Sequence, residues 1–333
     1  MSEKISLAHG DGGELAHKLI QDVFVNAFKH FEQSKLDSAI LNCDVNKVAI
    51  STDTFVVKPV FFPGGNIGKL AVAGTVNDIA VSGAVPRYLT SGFIIEEGFL
   101  LKDLIEIVEA MAAEAKKANV QIIAGDTKVV EVGSTDGIYI NTTGFGYIEQ
   151  TRIAPEKMTA GDSIIVSGTV GDHGVAILAA RGDLGIKTDL LSDCASLNAM
   201  IDAVLAVSDK VRIMRDPTRG GLATTLVEIC EDFHVSMEIS EELIPVKREV
   251  RGACDILGYE PIYLANEGKI IFIVAKEDEQ TVLDAIHRFQ EGTDAQVIGQ
   301  ITDSGTGKLF LRTDLGTTRR LSRLSGILLP RIC

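Results

Sequence analysis

Apolar residues along this 333-residue chain recur at two spacings, and the switches between them predict alternating strands and helices. A helical spacing runs through Leu15, Leu19, Val23, Ala27 and Phe31, and a short strand is predicted from Val48 to Asp53. Phe55, Val57 and the Pro63-Gly64-Gly65 turn predict more sheet, followed by a helix from about Ile67 to Ser82. The stretch from Leu100 to Lys117 reads as an amphipathic helix with Leu104, Ile105, Val108, Ala112 and Ala115 on its apolar side. Strands are expected at 120–126 and 137–147, and the polar stretch 151–161 with Pro155 and Gly161 marks a domain boundary. A strand at 163–166 then passes through a glycine-rich turn into a helix beginning near Val175. Further helices are expected at 190–207, 222–233 and 277–289, with strands at 270–274, 297–299 and 308–312. Beyond Thr313 the pattern reads as an exposed, mobile tail, whose Arg319, Arg320 and Arg323 can help it approach a bound phosphate. The expected organisation is a two-domain α/β (α+β) chain, 1–150 and 151–312, with a tail at 313–333.

The chemistry-bearing residues cluster at the ends of these predicted elements. His9-Gly10-Asp11-Gly12-Gly13 precedes the first helix, and such a loop either makes a simple turn or presents backbone donors to phosphate. Asp53 and Asp126 each close a hydrophobic run, with Lys128 just behind the second. Asp78 follows Asn77 inside an apolar helix, where a carboxylate faces solvent, caps a kink or coordinates something. Asp53, Asp78 and Asp126 together are candidates to hold magnesium through oxygen ligands; the plainer reading of an aspartate after a strand is turn chemistry. Gly171-Asp172-His173-Gly174 opens a helix whose positive end can meet an anion, without matching a P-loop. Asp216-Pro217-Thr218-Arg219-Gly220-Gly221 offers an acid, an arginine and a helix end together, suited to phosphate or metal handling or to a tight turn. Glu267 sits beside a strong strand, either as a general base with a raised pKa or in a plain exposed hairpin turn.

Composition narrows the classes. With 46 acidic against 32 basic residues the formal charge is −14, which argues against nucleic acid and anionic membrane as general partners. Cys43, Cys194, Cys230, Cys254 and Cys333 are far apart and form no CxxC pair, which fits a reducing cytoplasm rather than a disulfide framework or zinc ribbon. Residues 1–11 carry no apolar signal core, and no run of 18 apolar residues follows. Pro330-Arg331-Ile332-Cys333 ends the chain on a lone thiol, which is either incidental or carried to a site elsewhere. The run from Arg323 can span roughly 35 Å if extended. A thiol of ordinary acidity is mostly protonated at neutral pH, so modifying it calls for an activated donor or a second protein.

These motifs, from His9–Gly13 through Ser51-Thr52-Asp53, Asn77-Asp78, Ala124 to Lys128, Val170 to Gly174, Asp216 to Gly221 and Asn266-Glu267-Gly268 to the Pro-Arg-Ile-Cys end, cover essentially the whole chain. Together they resemble the HypE family of hydrogenase maturation proteins, within the superfamily of aminoimidazole ribonucleotide synthetase and selenophosphate synthetase. The internal motifs indicate the wider ATP-binding superfamily, and the last four residues narrow it to HypE. The resemblance implies a two-domain aminoimidazole-ribonucleotide-synthetase-like fold that pairs as a homodimer through a barrel of strands. It implies ATP and Mg2+ as cofactors, and a carbamoyl group placed on Cys333 by a HypF-like carbamoyltransferase. ATP-dependent dehydration would then leave a thiocyanate, and cyanide would pass to a HypC-HypD-like iron scaffold complex. By the same resemblance Glu267 abstracts the amide proton with help from Lys128. Asp53, Asp78, Asp126 and Asp216 are metal candidates, and His9, Gly10, Gly12, Gly13, Asn77, Gly171, Asp172 and Arg219 join them around the nucleotide. The alternatives are a small-molecule synthetase of the superfamily or a noncatalytic maturation scaffold.

Overall fold

The computed structural model describes residues 13–19, 21, 39–42, 47–148, 153–182, 185 and 188–324. His9, Gly10, Gly12 and Cys333 lie outside the described residues.

The first half begins with helix α1 (Glu14–Leu19) and strands β1 (Ala39–Asn42) and β2 (Lys47–Phe55). A small hairpin, β3 (Phe61–Phe62) and β4 (Gly65–Asn66), leads into helix α2 (Ile67–Val81). Asn66 caps that helix by accepting from the amides of Gly68 and Lys69. Strand β5 (Val85–Glu96), helix α3 (Leu101–Lys117), strand β6 (Gln121–Val130) and strand β7 (Ile138–Ile148) complete the half. They form a five-stranded sheet in the order β1-β2-β7-β5-β6, antiparallel except where α3 returns the chain to lay β6 parallel to β5. Helix α2 is apolar nearly all round and is buried nearly all round, wedged between this sheet, α3 and the second half.

The second half builds a seven-stranded sheet. Its elements are β8 (Ser163–Val166), α4 (Asp172–Arg181), α5 (Asn198–Val207), β9 (Val211–Arg215), α6 (Gly221–Phe233), β10 (Val235–Ser240) and α7 (Arg248–Leu257). They continue with β11 (Ile271–Val274), α8 (Glu279–Ile286), β12 (Gln296–Ser304), β13 (Leu309–Arg312) and β14 (Thr318–Leu321). The strand order is β14-β13-β10-β12-β8-β11-β9. Central strands β8 and β11 are buried on both faces, which is why they read as unbroken apolar runs. One face packs on α6, with Ile164, Ile271 and Leu226 in a common core. The other packs on α5 and α8, with Ile165, Phe272 and Val204, and takes in Ala80 and Val81 from α2.

Several expected boundaries and faces differ. The apolar side of α3 is Leu104, Ile107, Met111 and Ala115; Ile105 and Val108 are exposed, as is Ala112. The two candidate stripes share Leu104 and Ala115, and tertiary packing chooses the one that runs through Ile107 and Met111. Strands β2 and β6 run on past Asp53 and Asp126, so neither aspartate ends its strand. The helix expected over 190–207 begins only at Asn198, α4 begins three residues before Val175, and α8 is shorter at both ends. The stretch read as a free tail from Thr313 contains strand β14, whose alternation was hidden by its three exposed polar residues. Its arginines are engaged: Arg319 with Glu260 and Arg323 with Glu231.

Candidate active site

A cluster of charged groups forms where the first sheet, the turn before α6 and the segment before β11 come together. Asp53 shares the face of β2 that carries Ala49, Ser51 and Phe55 and is turned toward α2. On α2, Asp78 Oδ2 accepts from Ser51 Oγ at 2.8 Å. The turn at 216–221 brings up buried Asp216 and exposed Arg219. It needs Gly221 at positive φ, where a Cβ would stand 2.6 Å from the carbonyls of Ile262 and Leu264.

Asn266 stitches this turn to its neighbours. Its side-chain carbonyl accepts from the Gly171 amide at 2.7 Å, and its Nδ2 donates to the carbonyls of Pro217 and Leu264 at 2.9 and 3.1 Å. Glu267 follows, only 5% exposed, so the exposed hairpin reading fails. Its backbone amide donates to Asp193 Oδ1 at 3.1 Å, and Lys269 Nζ stands 3.5 Å from Asp193 Oδ2. Gly268 fits because a Cβ there would lie 1.8 Å from the Asp193 carbonyl oxygen. Burial pushes the Glu267 carboxyl well above its ordinary range; Asp216, Asp53 and Asp193 push the same way, and Arg219 opposes them. Burial also raises Asp53, with Arg219 and the Thr54 amide opposing. Four carboxyl groups thus face two cations in a low-dielectric setting, which calls for further positive charge or retained protons.

Other candidates have structural partners. Both ends of the Asn77 amide hold the 195–197 segment, through Ala195 C=O at 3.0 Å and the Leu197 amide at 2.8 Å. Asp172 is 1% exposed and accepts from Lys247 Nζ at 2.6 Å and Thr169 Oγ1 at 2.7 Å. Burial raises its pKa against those two partners. The amides of Gly171 and Gly174 donate to Asn266 and to the Ala265 carbonyl, so these two are not offered to a phosphate. His173 Nδ1 pairs with Ser192 Oγ at 2.8 Å, and its ring meets the Phe62 ring edge-on. Gly13 lies directly before Glu14, whose amide donates to the Leu324 carbonyl.

Asp126 and Lys128 lie elsewhere in this chain. They are 73% and 70% exposed, 3.3 Å apart on edge strand β6. Register places Asp126 in a row with Gly92, Asn141 and Thr54, one residue off the row holding Asp53 and therefore on the opposite face. Three strand steps, about 14 Å along the sheet, separate the two rows' ends. Asp53 and Asp126 of one chain do not share a metal, and among the described residues no three His, Cys, Asp or Glu side chains converge as a metal cage. The ends of short sequence runs looked alike; which face each aspartate takes is set by pairing that the sequence does not display. Asp193, Lys269 and the linking role of Asn266 were missed, because Asp193 falls in a stretch read as helix and carries no motif.

The fold agrees with comparisons to known proteins. Residues 35–148 match the N-terminal domain of AIR synthase related proteins, and residues 159–312 match their C-terminal domain. Carbamoyl dehydratase HypE of Cupriavidus necator is 46% identical, aligned over 100% of this chain and 95% of that protein. The chain belongs to the HypE family. The Escherichia coli K12 HypE is 42% identical over 99% of both chains. A HypE–HypF complex structure superposes with TM-score 0.87 at 44% identity, covering 92% of this chain and 99% of that one. A HypE structure in complex with ATP gives 0.83 at 41% identity, covering 99% and 100%. Thiamine monophosphate kinase of Aquifex aeolicus, at 16% identity and TM-score 0.66, shares the fold alone.

Proposed function

We propose that this HypE-family chain is an ATP-dependent carbamoyl dehydratase acting on an S-carbamoyl group carried by its own Cys333. The product is a thiocyanate that supplies the cyanide ligand for nickel-iron hydrogenase assembly. The observation that carries the reading is Glu267, a buried carboxyl with raised proton affinity standing among Asp53, Asp216 and Arg219. The overall step converts R–S–C(=O)–NH2 and ATP into R–S–C≡N, ADP and inorganic phosphate. Phosphorylation makes the carbamoyl oxygen a leaving group, and the amide nitrogen must then lose its protons as phosphate departs. Glu267 takes a proton from that nitrogen, which its raised pKa suits better than an ordinary carboxylate. Lys128 polarises the substrate or steadies the glutamate, and Glu267 is the base.

Mg2+ fits the carboxyl excess. Asp53 and Asp216, the acids beside Glu267, would hold it along with phosphate oxygens and water, with Asp78 supporting from behind through Ser51, as expected for a cation that keeps part of its hydration shell. When bound, it supplies neutralisation of the phosphate charge. Arg219, on the same turn as Asp216, would meet phosphate.

The first sheet supports a homodimer. Strand β6 is a ten-residue edge exposed along nearly its whole length, with Ile123 and Val129 at 56% and 69% exposure. Such an edge invites pairing with a second copy. Lys128 and Glu267 sit on opposite sides of the sheet in one chain, so a shared site uses Lys128 of the partner subunit. The carbamoyl group comes from a HypF-like transferase, cyanide leaves to a HypC-HypD-like iron scaffold, and the setting is the cytoplasm. Among the described residues no helix is long and apolar enough to cross a membrane.

Mass spectrometry of the full chain with S-carbamoylated Cys333 tests the reaction: adding Mg-ATP should remove one water from the C-terminal peptide. An unchanged peptide alongside ATP hydrolysis refutes it. Mixing Lys128→Ala and Glu267→Ala chains tests the shared site, because a mixed dimer keeps one intact centre and regains activity that neither variant has alone. No recovery places both residues in one chain's site.

A further inference from the structure

We propose that residues 321–324 are a docked root for the C-terminal arm, and that Arg323 clamped on α6 fixes the point and direction from which Cys333 is delivered. The inference rests on the reading of Cys333 as the substrate carrier. Leu321, 3% exposed, closes β14, and the chain then makes a contact at every residue. The Ser322 carbonyl accepts from Tyr263 Oη at 3.0 Å. Arg323, with its side chain 10% exposed, donates to Glu231 Oε2 from Nη2 at 2.6 Å and from Nε at 2.9 Å, and its Nη1 stands 3.9 Å from Glu228. The Leu324 amide donates to Thr224 Oγ1 at 3.3 Å, while its carbonyl accepts from the Glu14 amide at 2.8 Å. A largely buried guanidinium costs desolvation unless it is paired. Its place after the last strand of the sheet makes it an anchor rather than part of the sheet.

The dock leans on the segments that carry the chemistry. Thr224 packs directly against Gly220 in the turn bearing Asp216 and Arg219, and Tyr263 lies four residues before Glu267. Root and catalytic groups therefore share one frame. Nine residues follow Leu324, Cys333 the last of them, a reach of about 30 Å at full extension. If the dock opens back to Leu321 the arm has twelve, a reach of about 40 Å. Length alone then lowers effective concentration only about 1.5-fold, by its −3/2 power dependence. Loss of a fixed starting direction costs more, since small misplacements of a reacting group are expensive.

The test uses full-length chains whose last nine residues are installed by semisynthesis with S-carbamoylated Cys333. Single-turnover water loss with Mg-ATP is read by mass spectrometry for wild type, Arg323→Ala and the charge swap Arg323→Glu with Glu231→Arg. In parallel, a synthetic 325–333 peptide bearing the same group is supplied to Cys333→Ser chains with and without Arg323→Ala. Arg323→Ala should slow the attached reaction by clearly more than 1.5-fold, leave the peptide reaction unchanged, and be repaired by the swap. A fall no larger than about 1.5-fold, or equal falls in both reactions, overturns the proposal. A wild-type chain that leaves its own tail unchanged removes the Cys333 reading itself, a result distinct from either.

Discussion

Replacing Glu267 by Gln should abolish dehydration and at the same time make the folded protein more stable at neutral pH. The carboxyl is 5% exposed, and burial together with Asp216, Asp53 and Asp193 raises its proton affinity above that of the unfolded chain. Between the unfolded pKa and the higher folded one, the folded state binds the extra proton, so stability falls as pH rises through that window. Each unit of separation is worth about 1.4 kcal/mol. Glutamine keeps the shape and removes the penalty of ionising beside three carboxyl groups, at the loss of the attraction to Arg219. A net gain on the order of 1–3 kcal/mol follows from the cost of an uncompensated buried polar group. For a unit of this size that is a rise in Tm of a few degrees. Thermal unfolding of wild type and variant from pH 4 to pH 8, without nucleotide, measures it. The two curves should meet at the acid end, below the unfolded pKa, and separate as pH rises. A variant that is less stable at pH 8, or a difference that is constant with pH, would refute the argument that Glu267 is held in an environment hostile to its charge.

Arg219→Ala removes the one cation found to oppose the Glu267 shift, so the acid limb of the dehydration rate should move to higher pH; an unmoved limb in a pH-rate profile separates Arg219 from Glu267. Asn266→Ala deletes three hydrogen bonds joining three segments and should cost about 2–4 kcal/mol by denaturant titration, with a loss under 1 kcal/mol counting against its linking role. Ile123→Lys on the exposed edge of β6 should shift the chain to monomer in sedimentation and lower dehydration without changing thermal stability of the isolated fold; an unchanged dimer would place the interface elsewhere.

The strands and helices of this chain were largely legible because central elements bury whole faces. Helix α2 and strands β8 and β11 have no polar side to hide their period, and their extents were read closely. Elements with two apolar stripes or short exposed strands were not: on α3 Leu104 and Ala115 were placed correctly but Ile105, Val108 and Ala112 were taken for Ile107 and Met111, and β14 passed for a tail because three of its four residues are polar and exposed. The site divides the same way. Glu267, Asp216 and Arg219, which the structure brings together, were singled out because glycine and proline around them announce an unusual backbone. Asp193 had no such flag, since its role depends on receiving the amide of a residue 74 positions away. Asp126 and Asp53 show the sharper limit. Each follows a hydrophobic run, yet a strand places alternate residues on opposite faces, and an edge strand's exposed face is completed only by what pairs with it. The repeated motif therefore specifies two different surfaces of one sheet, and the sequence run alone carries no mark of which surface each aspartate takes.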